Sequence, residues 1–194
     1  MSAEHADRRR FLSILGACGL AAGTVRARAS IAVAPVPAPA AAADSSTEVR
    51  RISFVHTHTG ERLTAEYFAA GRYQPDCLER VDHLLRDFRT GEVHRIDPAL
   101  LDILFDLQRR AGRTAAFQVI SGYRSPATNQ MLRHTTEGVA QHSMHLLGRA
   151  IDVRLEGFPT SRLHVLARSL ARGGVGFYPA SDFVHVDTGR VRFW

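Results

Sequence analysis

The sequence predicts an α+β domain in which helices pack on a small, mostly antiparallel sheet. Three observations carry the prediction. A pair of segments with helical apolar spacing is followed by a run of short period-two segments, the order expected when helices gather on one side of a sheet. With 45% hydrophobic and 23% charged residues, the composition is that of a globular protein. A length of 194 residues gives room for one domain of ordinary size with one sizeable core. No internal repeat is visible.

The first 29 residues read as an export signal. Asp7-Arg8-Arg9-Arg10-Phe11-Leu12 is basic, the stretch to Thr24 is apolar, and Ala27-Arg28-Ala29 ends it in an A-x-A pattern. Paired arginines before Phe-Leu resemble the twin-arginine signal of bacterial export, which implies a periplasmic location. Leu15-Gly16-Ala17-Cys18 is a loose match to a lipoprotein processing site, so anchoring at Cys18 is the alternative. No run of about 20 apolar residues exists, which excludes a conventional membrane-spanning helix. Residues 30–47, rich in Ala, Pro and Val and almost uncharged, have the make-up of an extended tether. The folded domain is expected over 48–194.

Charge argues against nucleic acid as a partner. All 25 basic residues are arginine, and the formal charge is +6. Cleavage after Ala29 removes five arginines with Glu4 and Asp7, halving that charge to +3, and no basic–aromatic stripe is present. With the signal gone Cys77 is a lone thiol, expected to be a small buried residue rather than a nucleophile.

Within the domain, Arg51 to His56 and Arg62 to Phe68 flank a turn at Gly60 and predict a hairpin. His56 and His58 alternate beside that turn and are expected in solvent. Leu78, Val81, Leu84, Leu85 and Phe88 fall at helical spacing, predicting a helix from Pro75 to Arg89. Asp97 as N-cap, Pro98 at the first helical position and Gly112 past the end bound a second helix. Phe117 to Ser121 reads as a strand, followed by a turn and a short helix through Met131. After Gly148 a strand runs from Arg149 to Leu155. Thr160 is placed as the cap of a helix through Arg172, and Val175 to Tyr178 and Phe183 to Val186 are the last strands.

Strand alternation then singles out a candidate site. Ile151, Val153 and Leu155 share one strand face, and Ala150, Asp152 and Arg154 the other; Val184 and Val186 oppose His185 and Asp187 in the same way. With the apolar faces on the helices, Asp152 and His185 converge on the remaining face, and His145 lies across the turn that Gly148 permits. Two imidazoles and a carboxylate are a three-ligand set for catalytic zinc, which keeps a fourth position for water. Arg124 follows a strand in a tight turn, from which its guanidinium reaches toward the site.

The wording around these residues is similar to a known group. Ser143-Met144-His145-Leu146-Leu147-Gly148-Arg149-Ala150-Ile151-Asp152 matches the S-x-H-x-x-G-x-A-x-D signature of zinc peptidases that include D-Ala-D-Ala carboxypeptidases, VanX-type dipeptidases and Hedgehog-like folds. Ser121-Gly122-Tyr123-Arg124-Ser125, Gly174-Val175-Gly176-Phe177-Tyr178-Pro179 and Phe183-Val184-His185-Val186-Asp187-Thr188-Gly189 resemble one branch, the YcbK-like murein endopeptidases, from about Ile52 to Trp194. The resemblance implies an exported Zn2+ peptidase with His145, Asp152 and His185 as metal ligands. It gives Arg124 a substrate or oxyanion role, and it implies peptidoglycan stem peptides as the substrate, at diaminopimelate-containing cross-links. A D-Ala-D-Ala-type carboxypeptidase and a non-catalytic, zinc-containing wall-binding protein are its alternatives.

The proton-transfer group stays open. VanX-type members carry a glutamate three residues before the last ligand, where this chain has the shorter Asp182. Others use H-x-H, where this chain has His185-x-Asp187. Asp187 lies on the ligand face, as base or as the partner that orients His185. His142, three residues before His145, is a further candidate; Asp187 and His142 rank above Asp182. No phosphate loop, serine elbow or Cys–His pair competes with this site. The sequence leaves the oligomeric state open.

Overall fold

The computed structural model describes residues 48–136 and 140–194; the expected signal, the tether and Cys18 lie outside the described residues. The described chain is α+β. β1 (Arg50–His56), β2 (Arg62–Ala69) and β3 (Arg72–Tyr73) precede α1 (Pro75–Leu84) and α2 (Pro98–Arg110). β4 (Phe117–Ser121), α3 (Pro126–Thr135), β5 (Ala150–Leu155) and α4 (Thr160–Leu170) follow, and β6 (Gly174–Tyr178), β7 (Phe183–Asp187) and β8 (Arg192–Phe193) complete the order. The strands form one eight-stranded sheet in the order β3-β2-β1-β4-β5-β7-β6-β8. Only β1–β4 and β6–β8 pair in parallel.

The core follows from alternation. Ile52 and Phe54 of β1, Ala65 and Tyr67 of β2, Phe117 and Val119 of β4, and Ile151, Val153 and Leu155 of β5 are all buried. The stripe of α2, Leu100, Leu101, Leu104 and Leu107, is buried with them, as is Leu163 of α4. Each Val, Leu, Ile or Phe among them contributes about 1.5–3 kcal/mol on leaving water. Asp97 caps α2 as expected, accepting from Ala99 N–H at 3.0 Å.

Five local expectations are corrected. α1 ends at Leu84 instead of Arg89, because one tertiary and one local partner take groups that would continue it. The Leu85 carbonyl accepts from Tyr123 N–H, and Arg89 N–H is taken by the Asp87 carboxylate. Thr160 is the first residue of α4 rather than its cap, and its hydroxyl donates to Asp182 Oδ1. α3 runs on to Thr135, beyond Met131. His56 is fully buried, its Nδ1 accepting from His58 N–H and Thr59 N–H, while His58 stays exposed and stacks on Phe88 at 4.1 Å. Cys77 is half-buried rather than buried.

One irregularity positions the site. β4 and β5 pair Phe117 with Leu155 and Val119 with Val153, and the register then shifts so that Ser121 faces Asp152. Regular pairing would put Ser121 opposite Ile151, on the core face. The bulge turns the end of β4 toward the opposite face, where Asp152 lies.

Candidate metal centre

Asp152 and His185 are direct neighbours across the β5–β7 ladder, so both side chains stand on the face opposite the Val153–Val184 core pair. His145 arrives from a short 3-10 turn, Met144–Leu147, whose first N–H groups are met by Ser143; its hydroxyl accepts from His145 N–H at 3.3 Å. Gly148 ends the turn at φ 63°, the left-handed region, and a Cβ there would lie 2.2 Å from the Arg95 carbonyl oxygen. Strand geometry, a tight turn and one glycine therefore bring the three side chains together. His145, Asp152 and His185 are all buried, and one ligand atom from each lies within 4.8 Å of the others.

Hydrogen bonds outside the triplet determine which atoms face inward. His145 Nδ1 lies 2.6 Å from the Gly122 carbonyl oxygen, which only accepts, so Nδ1 carries the proton and Nε2 presents its lone pair. His185 Nε2 lies 3.0 Å from Asp187 Oδ2 and donates to it, leaving Nδ1 as the inward lone pair. Asp152 Oδ1 stands 2.9 Å from His185 Nδ1 and 3.3 Å from His145 Nε2, and the two nitrogens are 3.2 Å apart. Three electron-pair donors crowd one point, the donor set of a divalent metal centre.

Burial and charge act on the three groups in opposite senses. Burial works against the Asp152 carboxylate, but His145 and His185 beside it outweigh burial and hold its pKa well below the usual carboxylate range. Burial lowers the pKa of His145. For His185 burial acts in the same direction, but the carboxylates of Asp152 and Asp187 on either side outweigh it and raise the pKa.

Arg124 joins the group. Nη2 donates to Asp152 Oδ2 at 2.5 Å and Nε to Ser121 Oγ at 2.8 Å, so the bulge that swings Ser121 over also anchors the guanidinium. Among the described residues no group takes a hydrogen bond from its Nη1.

The three proton-transfer candidates fall in different places. Asp187 is fully buried and touches His185, but both of its oxygens are occupied. Oδ1 accepts from Gly174 N–H, Gly189 N–H and Arg192 Nη1, and Oδ2 from His185 Nε2 and Arg192 Nη2. Burial opposes its charge, but these donors outweigh burial and hold its pKa far below the usual range. Asp182 sits at the opposite end of β7, bonded to the Thr160 hydroxyl and paired with Arg154 at 3.5 Å. His142 is exposed in the turn just ahead of the His145 segment, with no hydrogen bond to another described residue. The sequence reading missed Arg192, which clamps Asp187 from five residues on, and Ser121; neither carried a spacing signal.

Fold and site together define an α+β protein with a candidate divalent-metal centre, built from an aspartate and a histidine on neighbouring strands, a second histidine from the turn beside them, and an arginine. The family described as Peptidase_M15_2, peptidoglycan L,D-endopeptidase MepK, matches residues 44–194, and the chain belongs to that family. It is 45% identical over 151 residues to the probable peptidoglycan L,D-endopeptidase MepK of Haemophilus influenzae, covering 77% of this chain and 81% of that one. It is 39% identical to the peptidoglycan L,D-endopeptidase MepK of Escherichia coli K12 over the whole of both chains. A crystal structure of the Serratia marcescens L-Ala D-Glu endopeptidase ChiX overlaps 48% of this chain and 80% of its own, at 21% identity and a TM-score of 0.36.

Proposed function

We propose that this chain is an exported zinc peptidase that hydrolyses peptide cross-links of peptidoglycan, of the L,D class named for its relatives. The observation that carries the reading is the inward set of lone pairs on His145 Nε2, Asp152 Oδ1 and His185 Nδ1, each oriented from outside. Two imidazole nitrogens and one carboxylate oxygen suit zinc, whose structural sites by contrast take four protein ligands. Zinc bound there supplies a Lewis acid for the scissile carbonyl and makes water nucleophilic near neutral pH.

The chain's own groups do the rest. Arg124 is held by Asp152 and Ser121, so its Nη1 is left to donate to the oxyanion that forms at the attacked carbonyl. Asp187 keeps the Nε2 proton on His185 and takes no part in proton transfer, since every oxygen site it offers is filled. His142, exposed and unengaged, is the group we assign to take a proton from water and return it to the leaving amine, Asp187 being filled and Asp182 bonded to Thr160. The twin-arginine signal delivers the domain to the periplasm, where its substrate lies. Among the described residues no helix is long and apolar enough to cross a membrane.

The test uses the purified protein and muropeptides defined by cross-link type, with products followed by mass spectrometry. Loss of a cross-linked dimer that is abolished by chelator, restored by zinc and absent in His145→Ala supports the reading. Release of terminal D-Ala alone moves the enzyme to the carboxypeptidase class. Zinc bound at one per chain with no product from any muropeptide overturns the peptidase assignment. A fall in kcat for His142→Gln, with Asp182→Asn unchanged, supports the proton-transfer role; the opposite pattern moves it to Asp182.

A further inference from the structure

Trp194 is the only tryptophan in the chain, and it stands beside the metal centre with 49% of its surface exposed. Its ring lies 5.3 Å from that of His185, tilted by 49°. It is held on several sides. The backbone joins the sheet through Trp194 N–H to the Val175 carbonyl at 3.2 Å and Phe177 N–H to the Trp194 carbonyl at 3.1 Å. The indole Nε1 donates to Tyr178 Oη at 2.8 Å, and Tyr178 stacks in turn on Phe183 at 4.6 Å. The Arg192 guanidinium lies 4.9 Å from the indole centroid, and Asp187 holds that guanidinium with both oxygens.

Gly176 makes room for this placement. It pairs with His185 across the β6–β7 ladder, and a Cβ on it would lie 2.6 Å from Trp194 Cε2. A bare backbone next to the metal ligand lets the indole lie against the strand. Leaving a large rigid ring half in water forgoes part of its burial free energy. A ring that is immobilised, half-open and adjacent to a buried polar centre is built as a contact surface rather than as core.

We infer that Trp194 forms a wall beside the metal centre against which substrate lies, and that it positions the peptide by packing against the aliphatic side chain that flanks the scissile bond. The inference rests on the peptidase reading for the nature of the peptide. A methylene chain of the diaminopimelate type is flat enough to cover the open indole and leaves its polar end in water. Trp194 touches substrate in this role and does no proton or electron-pair chemistry.

Two measurements on the full protein test it. The first compares wild type, Trp194→Phe and Trp194→Ala on a diaminopimelate cross-linked muropeptide dimer, with zinc content measured alongside. The expected result for Trp194→Ala is a KM raised about tenfold, the size of one lost aromatic contact, with kcat within about threefold and zinc still one per chain. The phenylalanine variant falls between. The second titrates the same dimer into His145→Ala and follows the emission of the sole tryptophan, with binding measured independently by calorimetry. A saturable emission change that tracks binding supports the wall. Unchanged KM with loss confined to kcat or zinc content overturns it, making Trp194 a prop for His185; calorimetric binding with no emission change overturns it as well. A wild type that binds the dimer with the emission change but cleaves nothing keeps the wall and removes the peptidase reading. Absence of any binding by calorimetry removes both.

Discussion

Replacing Asp187 by Asn tests whether this carboxylate is the outer support of the metal centre. The carboxylate takes five hydrogen bonds: two from the backbone amides of Gly174 and Gly189, two from Arg192 and one from His185. An amide keeps a single acceptor oxygen. Its best placement toward Gly174, Gly189 and Arg192 Nη1 turns the NH2 toward His185 Nε2 and Arg192 Nη2, which are both donors. Arg192, with only 29% of its side chain exposed, then loses its anionic partner. Removing one member of such a pair costs about 3–5 kcal/mol, and the partial exposure of Arg192 places the change at about 3. Against a total stability of about 5–15 kcal/mol this is a large loss. His185 also loses the acceptor that holds its proton on Nε2, so zinc affinity should fall about 10–100-fold. Urea unfolding reads the first effect and calorimetric zinc titration the second. A variant within about 1 kcal/mol of wild type and unchanged in zinc affinity would refute the reasoning, because neither the clamp on Arg192 nor the tautomer of His185 would then depend on Asp187.

Four further outcomes are expected. Arg124→Lys keeps a charge but loses the fork that spans Ser121 and Asp152, and kcat on a cross-linked dimer should drop about 100-fold with zinc content unchanged. Gly148→Ala meets both a left-handed φ of 63° and the Arg95 carbonyl, so a urea midpoint should show a loss of more than about 2 kcal/mol, together with reduced zinc binding. Hydrogen bonds from Thr128, Ser125 and Arg89 outweigh burial and hold Asp87 below its ordinary pKa. Its contribution is therefore complete above about pH 4 and lost as pH falls through the folded-state value. Unfolding of wild type and Asp87→Asn should differ by about 1–3 kcal/mol at pH 7 and converge in acid. Zinc should raise the thermal midpoint of wild type and leave those of His145→Ala and Asp152→Asn where they were, as scanning calorimetry would show.

Much of this was legible in the sequence, for definite reasons. A period of two assigns faces to β5 and β7 from sequence alone, and the valines alternating with Asp152, His185 and Asp187 mark which face is polar. Gly148 announces the turn that brings His145 back, and Asp97-Pro98 announces the start of α2. The same period applies to His56: it follows Ile52 and Phe54 on one face and is buried with them. Reading it as solvent-exposed gave the nearby turn too much weight. What stayed hidden depends on partners distant in sequence. α1 stops at Leu84 because Tyr123 takes the Leu85 carbonyl, and no propensity records that. The β4–β5 bulge is a register shift between strands about 30 residues apart, so alternation within either strand cannot reveal it. Asp187 looks like a free carboxylate in sequence. Only the return of Arg192 past the Gly189 turn shows that it is filled.

The two strands at the centre are buried on both faces for opposite reasons, and that opposition accounts for the metal centre. On the helix side Val153 and Val184 meet as apolar surface, which needs only shape. On the other side each buried polar atom must find a partner, and the outward-facing ones do: Gly122 takes the His145 proton, Asp187 takes that of His185, and Arg124 donates to Asp152 Oδ2. Satisfying these atoms from outside leaves His145 Nε2, His185 Nδ1 and Asp152 Oδ1 facing one another with lone pairs at 2.9–3.3 Å. Acceptors so close repel unless positive charge lies between them, and in a buried setting that repulsion is weakly screened. The arrangement that satisfies the rest of the polar face is therefore the one that calls for a cation at its centre. Arg124 and Trp194 flank the three ligands on this same face, one bonded to Asp152 and the other with its ring 5.3 Å from that of His185.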